Sequence, residues 1–261
     1  MLSVAGTRTA TVELGVAVVP IQRQHPVELA QRAFTASALT AGRFVLGVGV
    51  THQHASPRWG MTYDRPVDHM EEYLRVLHAL FTAREVDYQG DRIGAHLRLD
   101  IPGDVPEPTL LLAALGPRVL GLAGTWAHGT VLWLVGPQAL EQRIMPTIAQ
   151  AAEDAGRPSP RMVVSLPICL TDDKGSARSI GSDLYDTTYG AAPSYARALA
   201  WEGLSRPSEL ALIGSENELE RHLDRLADIG ATDFYARVFG TPHEVVRTRE
   251  FLVARARSRE G

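Results

Sequence analysis

Gly42-Arg43-Phe44-Val45-Leu46-Gly47-Val48-Gly49-Val50-Thr51-His52 is the stretch from which the fold is read. Residues 44–48 form a short apolar, β-branched run, long enough for one buried strand. Gly47 and Gly49 leave bare backbone at its carboxyl end. Glycine there lets a ligand approach the main chain, or lets the chain turn with positive φ. Thr51, His52, Gln53 and His54 follow at once. A buried strand that ends in glycine and then in reactive polar groups is how an α/β protein presents chemistry at one face of its sheet.

Outward from this stretch, the chain alternates strands with helices. Residues 12–21 read as a buried strand ending at Pro20. His25-Pro26 opens a helix, since proline suits a first turn. Leu29, Ala30, Ala33 and Phe34 give that helix an apolar face. Residues 53–66 are a loop whose Trp59, Met61 and Tyr63 either cover a ligand or make a small satellite core. A second helix runs from Pro66 to Phe81, with Glu71 and Glu72 on a solvated face beside Arg75. Residues 86–101 hold a hairpin outside the main sheet. Further strands are read at 109–114, 129–134, 162–170 and 233–238. Helices follow at 118–125, 137–155, 215–229 and 242–257. Asp172-Asp173 offers an N-cap, and residues 173–212 form a helical insertion without a strand. Six buried strands alternating with helices imply right-handed crossovers and a parallel sheet in one domain spanning 1–261. Periodicity does not separate an open sheet from a barrel.

Composition narrows the function. The net charge of −4 is spread over both signs in 261 residues with no basic run, which argues against nucleic acid as the partner. Cys169 is the only cysteine. It excludes an intramolecular disulfide and a cysteine-based metal cluster, and its apolar surroundings predict a buried, inert thiol. No run approaches the roughly 18 apolar residues of a membrane span, and the start has no charged-then-apolar signal design. A soluble, cytoplasmic protein with a small-molecule substrate is expected.

Two stretches carry chemistry. Ala113-Ala114-Leu115-Gly116-Pro117 puts small residues where a strand enters a helix. The first N–H groups of that helix lack partners and form a seat for an anion, or the segment is a tight turn only. A dinucleotide fingerprint is absent, because no Gly-x-Gly-x-x-Gly follows a first strand. His52 and His54 could reach one metal, but no further ligand set accompanies them. His52 is better founded as a proton donor or acceptor, since imidazole titrates near neutrality. His25 reads as a capping or packing residue.

Four stretches, in order along nearly the whole chain, resemble the luciferase-like monooxygenase superfamily and its coenzyme F420-dependent oxidoreductase branch. They are Val12-Glu-Leu-Gly-Val-Ala-Val-Val-Pro20 with His25-Pro26; Gly42-Arg-Phe-Val-Leu-Gly-Val-Gly49; Ala113-Ala-Leu-Gly-Pro117 with Leu122-Ala-Gly124; and Gly129-Thr-Val-Leu-Trp133 with Gly136-Pro137. The resemblance implies a TIM-barrel-like (β/α)8 fold with extra helices, here an incomplete barrel of about six parallel strands. It implies hydride transfer between F420 and a small organic substrate, with FMN-dependent monooxygenation or a non-catalytic cofactor-binding subunit as alternatives. Carried over by residue, Ala17 and Val18 fall at a strand bulge that often holds a non-prolyl cis peptide behind the ring. Val50, Thr51 and His52 fall beside the ring, with His52 at the place of a proton donor. Ala114, Leu115 and Gly116 fall at the cofactor's phosphate. His128-Gly129 replaces the usual Asp-Gly, a position expected to be structural. The resemblance also implies dimerisation. The family's first two strand–helix units have no counterpart ahead of residue 12, and a gene start assigned too late is the expected reason.

Overall fold

The computed structural model describes residues 2–51, 53, 56–190 and 192–259. In chain order its elements are α1 (Leu2–Arg8), β1 (Leu14–Pro20), α2 (Pro26–Leu39), β2 (Phe44–Gly49), α3 (Pro66–Ala83), β3 (Glu85–Gln89), β4 (Gly94–Arg98), β5 (Thr109–Ala113), α4 (Pro117–Trp126) and β6 (Gly129–Trp133). There follow α5 (Pro137–Ala139), α6 (Met145–Asp154), β7 (Arg161–Leu170), α7 (Lys174–Tyr189), α8 (Pro193–Trp201), β8 (Leu212–Gly214), α9 (Glu216–Ile229), β9 (Asp233–Val238) and α10 (Pro242–Arg259). A π-helical turn, Leu140–Ile144, lies between α5 and α6. Proline opens α2, α3, α4, α5, α8 and α10, where its missing N–H costs nothing. The predicted caps are in place. His25 Nδ1 accepts the Val27 N–H at 3.3 Å, and Asp173 Oδ1 accepts the Ser176 N–H at 3.0 Å. Among the described residues no helix is long and apolar enough to cross a membrane.

The chain divides into two compact units. The first, Met1–Val131 with Ile148–Pro160, is built on parallel strands in the order β1-β2-β5-β6. β2 is buried along its whole length, as its continuous apolar run requires. β1, read from sequence as buried, is half-exposed in alternation because it lies at the edge of this order. Leu46 and Val48 of β2 and Leu110 and Leu112 of β5 join Phe34, Tyr73, Leu74 and Leu77 from α2 and α3 in the core. Phe34 and Phe81 meet edge to face with centroids 5.6 Å apart. The antiparallel β3–β4 hairpin stands outside the main sheet, as expected.

Two features of this unit depart from the sequence reading. Helix α1 was not foreseen, because seven residues carry no readable period. It is held from a distance: Gly6 is close against Thr40, and the Arg43 guanidinium donates to the carbonyls of Gly6 at 3.0 Å and Thr9 at 2.7 Å. Glu71 pairs with Arg75 at 2.8 Å as expected, but Glu72 does not share that solvated role. Its carboxylate accepts the backbone N–H groups of Asp91, Arg92 and Ile93 at 3.2, 2.9 and 2.9 Å and so holds the hairpin turn. Burial pushes the Glu72 carboxyl up, and these donors outweigh it to leave it below the ordinary carboxylate range.

The second unit, Leu132–Thr147 with Arg161–Gly261, is built on β7, which pairs in parallel with β8 and β9. Arg161 Nε donates to Asp233 Oδ2 at 2.8 Å and fixes the register where β7 and β9 begin. Residues 173–212 hold the predicted helices α7 and α8, followed by a 3₁₀ turn, Pro207–Leu210. Strand β8 begins at Leu212 and adds a seventh parallel strand to the six predicted. Three residues are too few to show a strand period, so only its pairing with Ile168–Leu170 reveals it. Ser215 and Glu218 form the capping box of α9. Cys169 is fully buried, and burial, then the Glu244 charge, push its thiol up to about 11, which accords with an inert role.

Candidate functional site

At β1 the Ala17–Val18 peptide bond is cis, and the pairing with β2 slips between Val16 and Val19. This is the bond at which the resemblance expects a non-prolyl cis peptide. The bulge explains the two glycines of the decisive stretch. Neither has a positive φ. A Cβ on Gly47 would lie 2.8 Å from the Val16 carbonyl oxygen and 3.2 Å from Ala17 Cα. One on Gly49 would lie 3.1 Å from Val18 Cγ2 and 3.2 Å from Ala113 Cβ. The room left by the absent side chains is thus taken by neighbouring strands, and of the two sequence readings for these glycines the positive-φ turn does not occur. Val18, Gly49 and Ala113 stand side by side at the carboxyl ends of three adjacent parallel strands.

The segments leaving those ends supply the polar groups. The Thr51 N–H donates to Gln22 Oε1 at 3.1 Å. The Thr51 hydroxyl is shielded from solvent and has no hydrogen-bond partner among the described residues. Such an orphan is unfavourable unless a ligand completes it. Gln22 belongs to the 3₁₀ turn Ile21–Arg23. The next residue, Arg23, stacks its guanidinium 3.5 Å from the Trp59 ring centroid. Trp59 remains 47% exposed, so it is a covered surface ring rather than the centre of a satellite core. Gln22 and Arg23 were missed in sequence. Their only signal was a polar pair one residue beyond the proline that ends β1, after the apolar Ile21. His52 and His54, the candidate proton donor and its neighbour, lie outside the described residues. Among the described residues no group of His, Cys, Asp and Glu side chains could hold a metal ion.

Gly116 is the N-cap of α4, with φ −89°, and no side chain caps the helix. Pro117 has no N–H to offer, so Arg118 and Val119 present the first amides. A Cβ on Gly116 would meet nothing within 4 Å, so open space adjoins these donors. The partial positive charge of the helix start faces that space. Ala114 is buried and Leu115 half-buried beneath it. The arrangement leaves backbone donors and the helix dipole facing open space.

His128 is structural, as expected. Its Nδ1 accepts the Leu110 N–H at 3.0 Å. Burial, and then the Arg157 charge, hold its pKa below the ordinary 6.5. His69 and His78 are shifted the same way, burial leading. Unfolding therefore increases proton affinity, so this contribution to stability is complete above pH ~6.5 and declines as pH falls toward the folded pKa values. Thermal melts should show a lower midpoint at pH 5.5 than at pH 7.5. The difference should shrink in His128→Asn, whose side-chain oxygen accepts the same bond without titrating. An unchanged difference would remove His128 from this account.

In the second unit an aromatic cluster surrounds Trp133. Its ring meets Tyr185 at 5.9 Å and Tyr189 at 5.7 Å, both edge to face, and Tyr189 meets Tyr195 at 5.3 Å. The Trp133 indole N–H is shielded and has no partner among the described residues. Burial raises the Tyr185 and Tyr195 phenols, which therefore stay neutral.

Parallel β/α units thus gather a backbone bulge, a hydroxyl without a partner among the described residues and a helix start without a side-chain cap at their carboxyl ends, the face at which such folds carry their sites. A family model described as luciferase-like monooxygenase matches residues 1–251, and the chain belongs to that family. Sequence relatives include the phthiodiolone/phenolphthiodiolone dimycocerosates ketoreductase of Mycobacterium tuberculosis, 33% identical over 150 residues, which are 55% of this chain and 39% of the relative. The 5,10-methylenetetrahydromethanopterin reductase of Methanolobus tindarius is 26% identical over 181 residues, 68% of this chain and 54% of the relative. The chain thus spans about two fifths to one half of these relatives. Among solved structures, the coenzyme F420-dependent tetrahydromethanopterin reductase of Methanopyrus kandleri superposes with a TM-score of 0.76 at 17% identity, covering 92% of this chain and 80% of that one. The monooxygenase RslO1 of Streptomyces bottropensis superposes at 0.74 with 21% identity, covering 100% and 82%. The fold class is the TIM-barrel-like α/β fold of this family.

Proposed function

We propose that the protein is an oxidoreductase that uses coenzyme F420 to move a hydride to or from a small organic substrate. The observation that carries this reading is the uncapped start of α4 beside Gly116, which opens onto free space at the same strand ends as the orphaned Thr51 hydroxyl. These residues fit a group with a phosphate and a polar ring edge. Bound there, the deazaflavin would supply the hydride chemistry. Ala114, Leu115 and Gly116 would seat the phosphate, Ala17 and Val18 would back the ring, and Val50 and Thr51 would flank it. His52 is assigned the proton donor or acceptor, and protein contacts on ring and phosphate keep the reacting groups close. A cytoplasmic homodimer with no nucleic-acid or membrane partner completes the proposal. The names of the F420-dependent structural neighbour and of the ketoreductase and reductase relatives support it.

Titration of the chain with F420 and with FMN, followed by fluorescence, tests the reading. Tight binding of F420 alone is expected. Binding of FMN alone would turn the assignment to oxygen-dependent monooxygenation, and binding of neither would favour the non-catalytic alternative. Thr51→Val provides an internal check. Removing an unpartnered buried hydroxyl should leave stability unchanged or slightly higher, yet weaken F420 about tenfold, the worth of one lost hydrogen bond of ~1.4 kcal/mol. Unchanged affinity in this variant would remove the hydroxyl from the site.

A further inference from the structure

The second unit contains a cavity of about 600 Å³ that the proposed reaction does not use. It lies against one face of α7, the turn Pro207–Leu210, β8 and α9, with Ala211 and Ile213 as its apolar part. The rest is polar, and its charges are unevenly committed. Arg178 forms no hydrogen bond or ion pair among the described residues. Arg206 is only loosely paired, 3.9 Å from Glu209 Oε1. The other Glu209 oxygen is claimed by the backbone N–H groups of Ser205 and Arg206 at 3.0 and 2.7 Å, so this carboxylate serves the turn. The Ser182 and Ser208 hydroxyls both donate to Asp186 Oδ2, at 2.8 and 2.9 Å. Their protons are thereby fixed, and they turn lone pairs toward any further partner. His222 closes the lining from α9. Burial first, then the charges of Arg221, Arg225 and Lys174 against Glu218, favour its neutral form.

A phosphate complements two guanidinium groups, whose planar forks match its oxygens. Hydroxyl donors complement the lone pairs of the two serines and the carboxylate of Asp183, which has no partner among the described residues. The volume is that of an ordinary small-molecule pocket. We propose that this cavity binds a phosphorylated polyol, with Arg178 and Arg206 on the phosphate and Ser182, Ser208 and Asp183 accepting from its hydroxyl groups. The inference is independent of the hydride reading.

The full chain is titrated with glucose 6-phosphate, inorganic phosphate and glucose, followed by calorimetry and by the His222 imidazole resonance. Glucose 6-phosphate should bind at least fivefold more tightly than inorganic phosphate, glucose should not bind, and the His222 resonance should move. Arg178→Ala should weaken the sugar phosphate at least tenfold while leaving the F420 titration unchanged. Arg206→Ala is the second variant and should act in the same direction. Absence of binding to the wild-type chain, or binding that both variants leave intact, overturns the proposal. Equal affinity for phosphate and glucose 6-phosphate overturns the polyol assignment.

Discussion

Gly47→Val is expected to lower the stability of the protein by about 3 kcal/mol or more. The reason is the identity of the obstructing atoms. A Cβ at residue 47 meets the Val16 carbonyl oxygen at 2.8 Å and Ala17 Cα at 3.2 Å. Both are backbone atoms of a strand already fixed by its pairing with β2, so they have no rotamer through which to escape. Gly47→Ala meets the same contacts and should cost about 2 kcal/mol. Gly49→Ala is the control. The nearest atom it approaches is Val18 Cγ2 at 3.1 Å, which can shift by a small χ1 rotation, and Ala113 Cβ at 3.2 Å lies farther off than the Val16 carbonyl oxygen does from residue 47, so about 1 kcal/mol is expected. Denaturant midpoints at constant slope measure all three. A loss below 1 kcal/mol for Gly47→Val would mean that the β1 bulge yields and that Gly47 is not required by it.

Gly116→Leu should have the opposite profile. Its φ of −89° suits any residue, and its Cβ would meet nothing within 4 Å. Folding should therefore change little, by no more than the ~1 kcal/mol that separates glycine from a poor N-cap residue. The side chain would occupy the space in front of the first α4 amides, where the phosphate is assigned. F420 affinity should fall about a hundredfold, or ~2.7 kcal/mol. Gly116→Ala adds one methyl group and should cost much less. A variant that binds F420 normally would place the phosphate elsewhere.

These two glycines show how far the sequence could be read. At 116, glycine before proline at a strand-to-helix junction announced an open helix start, because the relevant chemistry is local: a missing N–H, a missing side chain and unpaired amides. At 47 the glycine was visible but its cause was not, since the atoms that exclude a side chain belong to β1, about thirty residues earlier. Gln22 and Glu72 were illegible for the same reason. Each is an ordinary polar residue whose partners, the Thr51 amide and the β3–β4 turn, are brought to it by folding alone.

The sequence by itself determined what depends on neighbours along the chain. It set the alternation of apolar strands and amphipathic helices, the caps at His25, Asp173 and Ser215, the buried thiol of Cys169 and the family. Periodicity, capping and motif order act over a few residues and survive in one dimension. Tertiary structure decided what depends on distant atoms. It added β8, whose three residues become a strand only by pairing with β7. It pressed the β1 bulge onto Gly47, left the Thr51 hydroxyl without a partner among the described residues, and gathered Arg178, Arg206 and His222 around one cavity. Steric exclusion, hydrogen-bond satisfaction and charge balance are sums over all atoms within a few ångströms, and only the folded chain specifies which atoms those are.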